Sequence, residues 1–417
     1  MIGQYLTEDM PGIGGLIKQA TTDFIVEEIP LYEAAGEGTH AYIFVEKEGV
    51  TTFDAIRILA KALGRRNFDI GYGGLKDARA ITRQWFSIEH EDPERLKELK
   101  LPRLKILAAT RHRNKIKLGH LGGNRFDIKI RNPEWSRVDG GLTRALGRAR
   151  AIMHRLGETG VPNYYGPQRF GMRGDNHALG LALMRGDYKD FLDHFLGKPD
   201  EKLDHAHVLA GRTYYEAGEY AKAVAAWPGH MGNERRALSV LIASKGSKRA
   251  VDLVDSRLKD LFLSALQSHL FNAYLTLRLP AIDQVWPGDM CMKHDNGACF
   301  HVENTPEAAA VEQVRCASQE ISPTGPLYGR KLSRTAGRSG ELETQVLAEA
   351  GIKEEDAGST ALGHGARRAL RFFAREPQMQ TGQDDNGPYL RVQFALNSGC
   401  YATVLLSEIM KTDVDID

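Results

Sequence analysis

The chain is organised around residues 73–84, which read Gly73-Gly74-Leu75-Lys76-Asp77-Ala78-Arg79-Ala80-Ile81-Thr82-Arg83-Gln84. The two glycines allow the backbone to take a positive φ or to approach another group closely. One carboxylate, Asp77, follows them among cationic neighbours. The next residues, Ile81–Ile88, alternate in the manner of a strand with Thr82, Gln84, Phe86 and Ile88 on one face. The stretch therefore predicts an acid on a glycine-shaped loop between two strands. A solvated turn without function is the alternative, because such residues are common in turns.

Length and composition are those of an ordinary globular protein of about two domains. The chain has 417 residues, of which 42% are hydrophobic and 26% charged. Its net charge of +1 gives no overall signal for a polyanion, so that any nucleic-acid surface must come from local clustering. Met1–Gly12 lack the pattern of a signal peptide, and no run has the ~18 apolar residues that span a bilayer. We therefore expect a cytoplasmic protein with no membrane association.

The four cysteines support the same expectation. They are few for so long a chain and form no C-x-x-C pair, which favours reduced thiols. Cys291, His294, Cys299 and His301 lie close enough in sequence to be considered as zinc ligands. The alternative is a β-hairpin, 289–294 and 298–303, that turns at Asn296-Gly297 and need not bring the four together. We favour the hairpin and predict no metal.

The pattern of elements changes twice along the chain. Alternating strands and three helices occupy residues 1–160, and a loop of proline, glycine and aromatic residues follows. Two helix pairs, turning at 185–188 and 217–220, then lead to a long apolar-striped helix over Ser256–Leu277. A final strand over Leu390–Leu396 precedes a helix that ends near Met410. We predict a first domain from residues 1–160 and 371–417, with residues 161–370 inserted between its two parts.

Four local expectations are specific enough to be tested. Thr51 and Asp54 form a capping box, which predicts a helix that ends near Gly64. Residues 115–118 are predicted to form a strand, and residues 380–388 a polar turn. Residues 329–340, which carry four cations and no acid, are predicted to form a mobile basic loop.

Residues 103–131 are strongly basic. They contain nine lysines and arginines, opposed only by Asp127: Arg103, Lys105, Arg111, Arg113, Lys115, Lys117, Arg125, Lys129 and Arg131. This pattern is typical of a face that follows a phosphate backbone. A solvated sheet edge is the alternative, because lysines also protect exposed edges.

Six motifs in order resemble those of the TruD family of tRNA pseudouridine synthases, over nearly the whole chain. They are Lys18 with Asp23-Phe24 and Val26-Glu27; Gly74-Leu75-Lys76-Asp77; Asn124-Arg125-Phe126; Asn163-Tyr164-Tyr165-Gly166 with Gln168-Arg169-Phe170-Gly171; 265–272 with 322–329; and Gly399-Cys400-Tyr401-Ala402-Thr403. Three positions depart from the family pattern: Gly73, Asn397 and Ser407.

The resemblance implies an α+β pseudouridine-synthase domain with a central mixed or antiparallel sheet, and a mainly helical inserted domain. It implies isomerisation of a uridine in tRNA, most specifically uridine 13, without a cofactor. Asp77 would be the catalytic carboxylate, acting as nucleophile or as base, and Lys18 would support its ionisation. Substrate contacts would come from Phe126, Asn124, Lys76, Arg79, Tyr164, Gln168 and Arg169. The expected partner is tRNA, and the expected state is a monomer.

A protein that binds or chaperones RNA on the same scaffold, with an unused pocket, is the rival interpretation. It predicts the loss of at least one residue of the presumed site, whereas Asp77, Lys18, Asn124 and Phe126 are all present.

Overall fold

The computed structural model describes residues 4–76, 78–134 and 139–412. The chain divides into two compact units. The sheet unit consists of residues 5–161 and the residues from Phe372 onward, and the insert unit consists of Pro162–Arg371.

The strands and helices are as follows. The strands are β1 (Phe24–Pro30), β2 (His40–Glu48), β3 (Gly71–Tyr72), β4 (Ile81–Glu89), β5 (Leu104–His112), β6 (Leu121–Arg131), β7 (Val161–Pro162), β8 (Met290–Lys293), β9 (Cys299–His301), β10 (Ile321–Leu327), β11 (Ala366–Ala369), β12 (Arg371–Phe372), β13 (Arg375–Asp384) and β14 (Gly387–Asn397). The α-helices are α1 (Thr52–Leu63), α2 (Pro93–Lys97), α3 (Gly141–Thr159), α4 (Asn176–Arg185), α5 (Tyr188–Leu196), α6 (Ala206–Glu216), α7 (Tyr220–Ala226), α8 (Gly232–Ile242), α9 (Ser247–Asp252), α10 (Ser256–Arg278), α11 (Pro306–Ala317), α12 (Gly337–Glu349), α13 (Glu354–Ala357) and α14 (Ala402–Met410).

An eight-stranded mixed sheet forms the sheet unit, in the order β13-β14-β6-β1-β4-β2-β5, with β3 beside β4. Strands β1 and β4 are parallel, with Ile25 opposite Ile81, whereas the other pairs are antiparallel. The face of β4 that carries Thr82, Gln84, Phe86 and Ile88 is buried, as the alternation predicts. Helix α1 packs its apolar side against this face. It begins as predicted, because the Thr51 hydroxyl accepts a hydrogen bond from the Asp54 amide, and it ends at Gly64 in the left-handed conformation.

The insert unit is mainly helical. Helices α4–α10 share one apolar core, in which Phe191, Leu196, Trp227 and Leu238 are buried. Its strands form a small four-stranded sheet in the order β11-β10-β8-β9. The β8–β9 hairpin is the one predicted around Asn296-Gly297. The fold is therefore α+β, with a mixed-sheet unit and a mainly helical insert.

Three local predictions are wrong. Residues 115–118 form no strand, because β5 runs on to His112 and the Ile116 amide then bonds the Ser87 side chain rather than a strand. Residues 380–384 belong to β13, where pairing with β14 overrides their polar, turn-like composition. The basic loop ends at Gly337, where α12 begins, and two of its cations have partners. Arg334 lies 3.8 Å from Glu343, and the Arg338 guanidinium lies 3.9 Å from the ring centre of Trp286.

The nine cations of residues 103–131 do not form one face. β5 is an edge strand, whereas β6 lies in the middle of the sheet, and β1, β4 and β2 separate the two. The β6 cations pair with acids distant in sequence: Arg125 with Glu376 at 3.0 Å and Lys129 with Asp384 at 2.8 Å. These acids lie outside residues 103–131, so the sequence of that segment does not show them. The apparent excess of positive charge on β6 is therefore neutralised within the fold.

A buried ion pair joins the start of β1 to β6. The guanidinium of Arg131 bonds the Asp23 carboxylate, with both Nε–oxygen distances 3.1 Å, and also contacts Asp384. The Asp23 side chain is fully buried, whereas that of Asp384 is 30% exposed. Asp23 is part of the first motif, and its role in this structure is to hold β1 against β6.

We expect Asp23→Ala to lower the free energy of unfolding by about 3–5 kcal/mol, because it leaves the Arg131 charge buried without its inner partner. Urea denaturation measures the loss. Asp384→Ala is the matched control and should cost much less than Asp23→Ala, since that carboxylate is partly solvated. Equal losses in the two variants would contradict this role for Asp23.

Candidate active site

The loop of residues 73–80 joins β3 to β4, as the sequence predicts. Asp77 itself lies outside the described residues. A Cβ added to Gly73 would lie 2.9 Å from the His120 carbonyl oxygen and 3.2 Å from Oε1 of Glu28. Glycine is therefore required at this position by close packing on two neighbouring segments.

A closed set of hydrogen bonds holds the loop before Asp77. The side-chain amide of Gln84 donates to the Gly74 carbonyl at 3.2 Å, and the backbone N–H of Lys76 donates to the Thr52 hydroxyl at 2.9 Å. The Thr52 hydroxyl in turn donates to Oε1 of Gln84 at 3.0 Å. Both side chains are buried. We call this set the Thr52–Gln84 clamp; it fixes the loop to α1 and β4 at once.

The Lys76 side chain points inward. Its Nζ lies 3.3 Å from a carboxylate oxygen of Glu28 and donates to Oδ1 of Asn124 at 2.7 Å. Burial raises the pKa of Glu28, and Lys76 and a backbone hydrogen bond from Trp85 oppose that rise. Burial also lowers the pKa of Lys76, which the charge of Glu28 opposes. The pair fixes the residue next to Asp77 and orients the Asn124 side chain.

Lys18 and Phe126 meet through Phe24. The Lys18 ammonium lies 4.9 Å from the ring centre of Phe24, and Lys18 itself has a left-handed backbone with φ of 55°. Phe24 contacts Phe126 edge to face at 6.4 Å, and Phe126 stacks on Phe394 at 5.2 Å. The Phe126 side chain is buried, so its role as an open stacking surface stays a prediction.

Strand pairing brings these groups together. On β1 and β6, Val26 lies opposite Phe126 and Glu28 opposite Asn124. β4, which follows the Asp77 loop, lies on the other side of β1. Asn124 and Phe126 therefore lie on β6, next to β1, while Lys76 lies in the loop before β4 and Lys18 in the segment before β1.

The other predicted site residues lie elsewhere. Arg79 is exposed in the loop after Asp77. Tyr164, Gln168 and Arg169 belong to the insert unit. Tyr164 is buried, with its hydroxyl 3.1 Å from that of Thr276, and Gln168 is exposed. Arg169 donates to Ser268 at 3.1 Å and therefore serves the packing of α10 in this structure.

Sequence reasoning missed Glu28, Thr52 and Gln84. Gln84 gave a signal, because it is a polar side chain on the predicted apolar face of a strand and needs a buried partner. Thr52 lies next to the capping residue of α1, and Glu28 directly follows the first motif, so neither stands out in the sequence. Their partners come from different segments, which only the fold identifies.

The cysteine and histidine residues considered as zinc ligands lie on the β8–β9 hairpin. His294 there contacts the Gln319 carbonyl at 2.8 Å and the Ser322 hydroxyl at 2.9 Å. No group of three or more metal-binding side chains occurs within residues 4–76, 78–134 and 139–412. Nor does any helix among these residues have the length and apolar character needed to cross a membrane.

Comparison with known proteins supports the fold assignment. A solved crystal structure from Methanosarcina mazei, assigned to tRNA pseudouridine synthase D, superimposes with a TM-score of 0.82 and 26% identity, and covers 99% of this chain and 97% of that one. The family model described as tRNA pseudouridine synthase D (TruD) matches residues 2–409.

Two relatives named tRNA pseudouridine synthase D are similar over at least 92% of their length. That of Syntrophotalea carbinolica is 42% identical over 415 residues, which cover 99% of this chain and 100% of the relative. That of Thermus thermophilus is 37% identical over 413 residues, covering 98% and 92%. The chain belongs to the tRNA pseudouridine synthase D family.

The clamp can be tested without an activity assay. We expect Thr52→Val to speed hydrogen exchange of the Lys76 backbone amide roughly fivefold, because this amide loses its own hydrogen bond, worth about 1 kcal/mol. Exchange measured by NMR or mass spectrometry gives the result. Thr82→Val is the matched control, since the buried Thr82 hydroxyl has no hydrogen-bond partner among the described residues. Unchanged exchange in Thr52→Val would contradict the clamp.

The buried Glu28–Lys76 pair predicts a pH-dependent stability defect. Lys76→Met removes the charge that opposes the rise in the Glu28 pKa, so this pKa rises further. A carboxyl whose pKa is raised by folding favours the folded state as the pH falls. The loss of unfolding free energy should therefore be largest near pH 7, about 3–5 kcal/mol, and shrink toward acidic pH.

Urea denaturation at several pH values checks this. The double variant Glu28→Gln/Lys76→Met is the control; it leaves no buried charge and should show a smaller, pH-independent loss. A defect in Lys76→Met that grows as the pH falls would contradict the assigned pairing.

Proposed function

We propose that the chain converts a uridine of tRNA into pseudouridine, at uridine 13, with Asp77 as the catalytic carboxylate and without a cofactor. Membership of the tRNA pseudouridine synthase D family supports the reaction class. The single observation that carries the site assignment is the contact of Lys76, the residue before Asp77, with Glu28 of β1 and Asn124 of β6.

The reaction is an isomerisation. The bond between N1 and C1′ breaks, the base turns, C5 bonds to C1′, and the C5 proton leaves while N1 takes up a proton. Atoms and electrons balance within the substrate and the solvent. What the protein must supply is an ionised carboxylate near C1′, as nucleophile or as proton acceptor, and both roles remain open for Asp77.

Lys18 is the proposed cation that keeps Asp77 ionised, because a nearby opposite charge lowers the pKa of a carboxyl. The Phe24 ring fixes the position of the Lys18 ammonium. Lys76 has its charge committed to Glu28, and we propose that it orients Asn124 toward the base rather than meeting a phosphate. Phe126 is proposed to position the base through its packing with Phe24.

The sheet unit is the proposed catalytic domain, and the insert unit is the proposed inserted domain that helps to bind tRNA. Arg79, Tyr164, Gln168 and Arg169 are proposed substrate contacts, with Tyr164 acting through packing because it is buried. We propose that the protein acts on tRNA in the cytoplasm as a monomer.

The test uses tRNA labelled with tritium at C5 of uridine, because pseudouridine formation releases that hydrogen. The wild-type protein should release label, and Asp77→Asn should release none while still binding tRNA. Lys18→Met should retain a small fraction of the rate, since it weakens the support for ionisation only. Replacing uridine 13 by cytidine should abolish release if the position is correct.

A folded wild-type protein that binds tRNA without releasing label would favour the rival interpretation of an RNA-binding protein. Equal release by wild type and Asp77→Asn would remove Asp77 from the reaction.

A further inference from the structure

A small cavity lies beside the loop of residues 73–80 in the sheet unit. It has a volume of about 160 Å³, and the side chains that matter for its chemistry are Glu28, Tyr32, Tyr42, Trp85, Ile116 and His120. None of Lys18, Asn124 and Phe126 lines it. It is therefore separate from the group of residues proposed to act on the target uridine, and we call it the Tyr32–Trp85 pocket.

The aromatic walls of this pocket are held in place before any ligand binds. The Tyr32 hydroxyl lies 2.8 Å from Nδ1 of His120, and the Tyr32 ring stacks on His112 at 5.1 Å. Trp85 stacks on Phe44 at 5.0 Å. Tyr32 is 37% exposed, so that it combines a fixed position with access from solvent. Rigid aromatic surfaces of this kind bind a flat ring with little loss of side-chain entropy.

The pocket adjoins the Asp77 loop. The Gly119 amide donates to the Gly73 carbonyl at 2.9 Å, and Gly73 packs against the His120 carbonyl. The carboxylate of Glu28, which lines the pocket, also holds Lys76, the residue before Asp77. A ligand in the pocket would thus contact the same two segments that position the loop.

Positive charge surrounds the pocket on one side. The residues that line or support it on this side, His112 and Ile116, alternate with Arg111, Arg113, Lys115 and Lys117. Arg113 and Lys117 are exposed, and the Arg113–Glu37 ion pair is itself solvent-exposed and therefore weak. Aromatic side chains interleaved with cations on an accessible segment match a single-stranded nucleic acid, whose bases stack while its phosphates meet the cations.

We propose that the Tyr32–Trp85 pocket binds the base of a nucleotide that flanks the target uridine. The identity of the target rests on the proposed function. When a uridine leaves its stack, at a cost of a few kcal/mol, its neighbours also lose a stacking partner. An aromatic pocket next to the reacting loop compensates for part of that cost by stacking one of these neighbours. The ring of Phe126 is buried and offers no open stacking surface. The Tyr32–Trp85 pocket provides such an aromatic contact instead.

The test measures tRNA binding in the Asp77→Asn background, so that catalysis does not affect the result. Tyr32→Ala should weaken binding of intact tRNA roughly 5- to 100-fold. Tyr32→Phe keeps the ring and should bind within about twofold of the parent protein. Phe68→Ala is the matched control, because Phe68 is an exposed aromatic residue of the same unit that does not line the pocket; it should leave binding unchanged.

A set of tRNAs, each with one abasic nucleotide at or next to the target, identifies the bound base. The effect of Tyr32→Ala should disappear for one RNA only, the one that lacks a base next to the target. A loss of equal size on every RNA, or a loss that disappears only when the target base itself is missing, would overturn the proposal.

The release assay with wild-type protein keeps this result separate from the proposed function. If no label is released while the effect of Tyr32→Ala still depends on one particular base, the pocket binds a base but the reaction assignment fails. If label is released and Tyr32→Ala binds all RNAs like its parent, the reaction assignment is supported and the pocket proposal fails.

Discussion

Strand β1 is the constraint on which the candidate site depends, because it is hydrogen-bonded on both edges. It pairs with β6 along its length but with β4 only over Ile25–Glu27. Where the two parallel strands part, the buried carboxylate of Glu28 takes a hydrogen bond from the Trp85 backbone and holds the Lys76 ammonium. A side chain thus completes the sheet where the backbone no longer can, and the loop before β4 is fixed at that point.

In this arrangement the two lysines of the candidate site, Lys76 and Lys18, have different roles. The charge of Lys76 is used inside the protein, where it balances one carboxylate and orients one amide. Lys18 is less enclosed and rests on an aromatic ring. Removing one partner of the buried Glu28–Lys76 pair would leave an uncompensated charge. The Lys18 ammonium, which packs against an aromatic ring, is able to interact with a ligand. The candidate site therefore combines a firmly held Lys76 in the loop with a more accessible cation, Lys18, before the start of β1.

Much of this fold could be predicted from the sequence. The alternation in β4, the Thr51 cap before α1 and the hairpin around Asn296-Gly297 are local signals, and the structure has all three. Local signals failed where distant segments decide the outcome. The polar residues 380–384 form a strand because β14 is beside them, and the basic character of β6 is cancelled by Glu376 and Asp384. For the site, the sequence identified Lys76 and Asn124 but not their contact with each other and with Glu28, since three separate segments supply these atoms.

The sheet order also has a consequence for protein synthesis. β6 pairs with β14, which the ribosome makes only after the whole insert unit. Glu408 near the end of α14 accepts hydrogen bonds from the backbone of Leu6 and Thr7. The N-terminal segment therefore cannot form these bonds until α14 has been synthesised. During translation the sheet unit remains unfinished, with an open β6 edge of the kind that pairs with other chains. A message truncated shortly after residue 371 would thus yield a chain whose insert is complete in sequence but whose sheet is prone to aggregate.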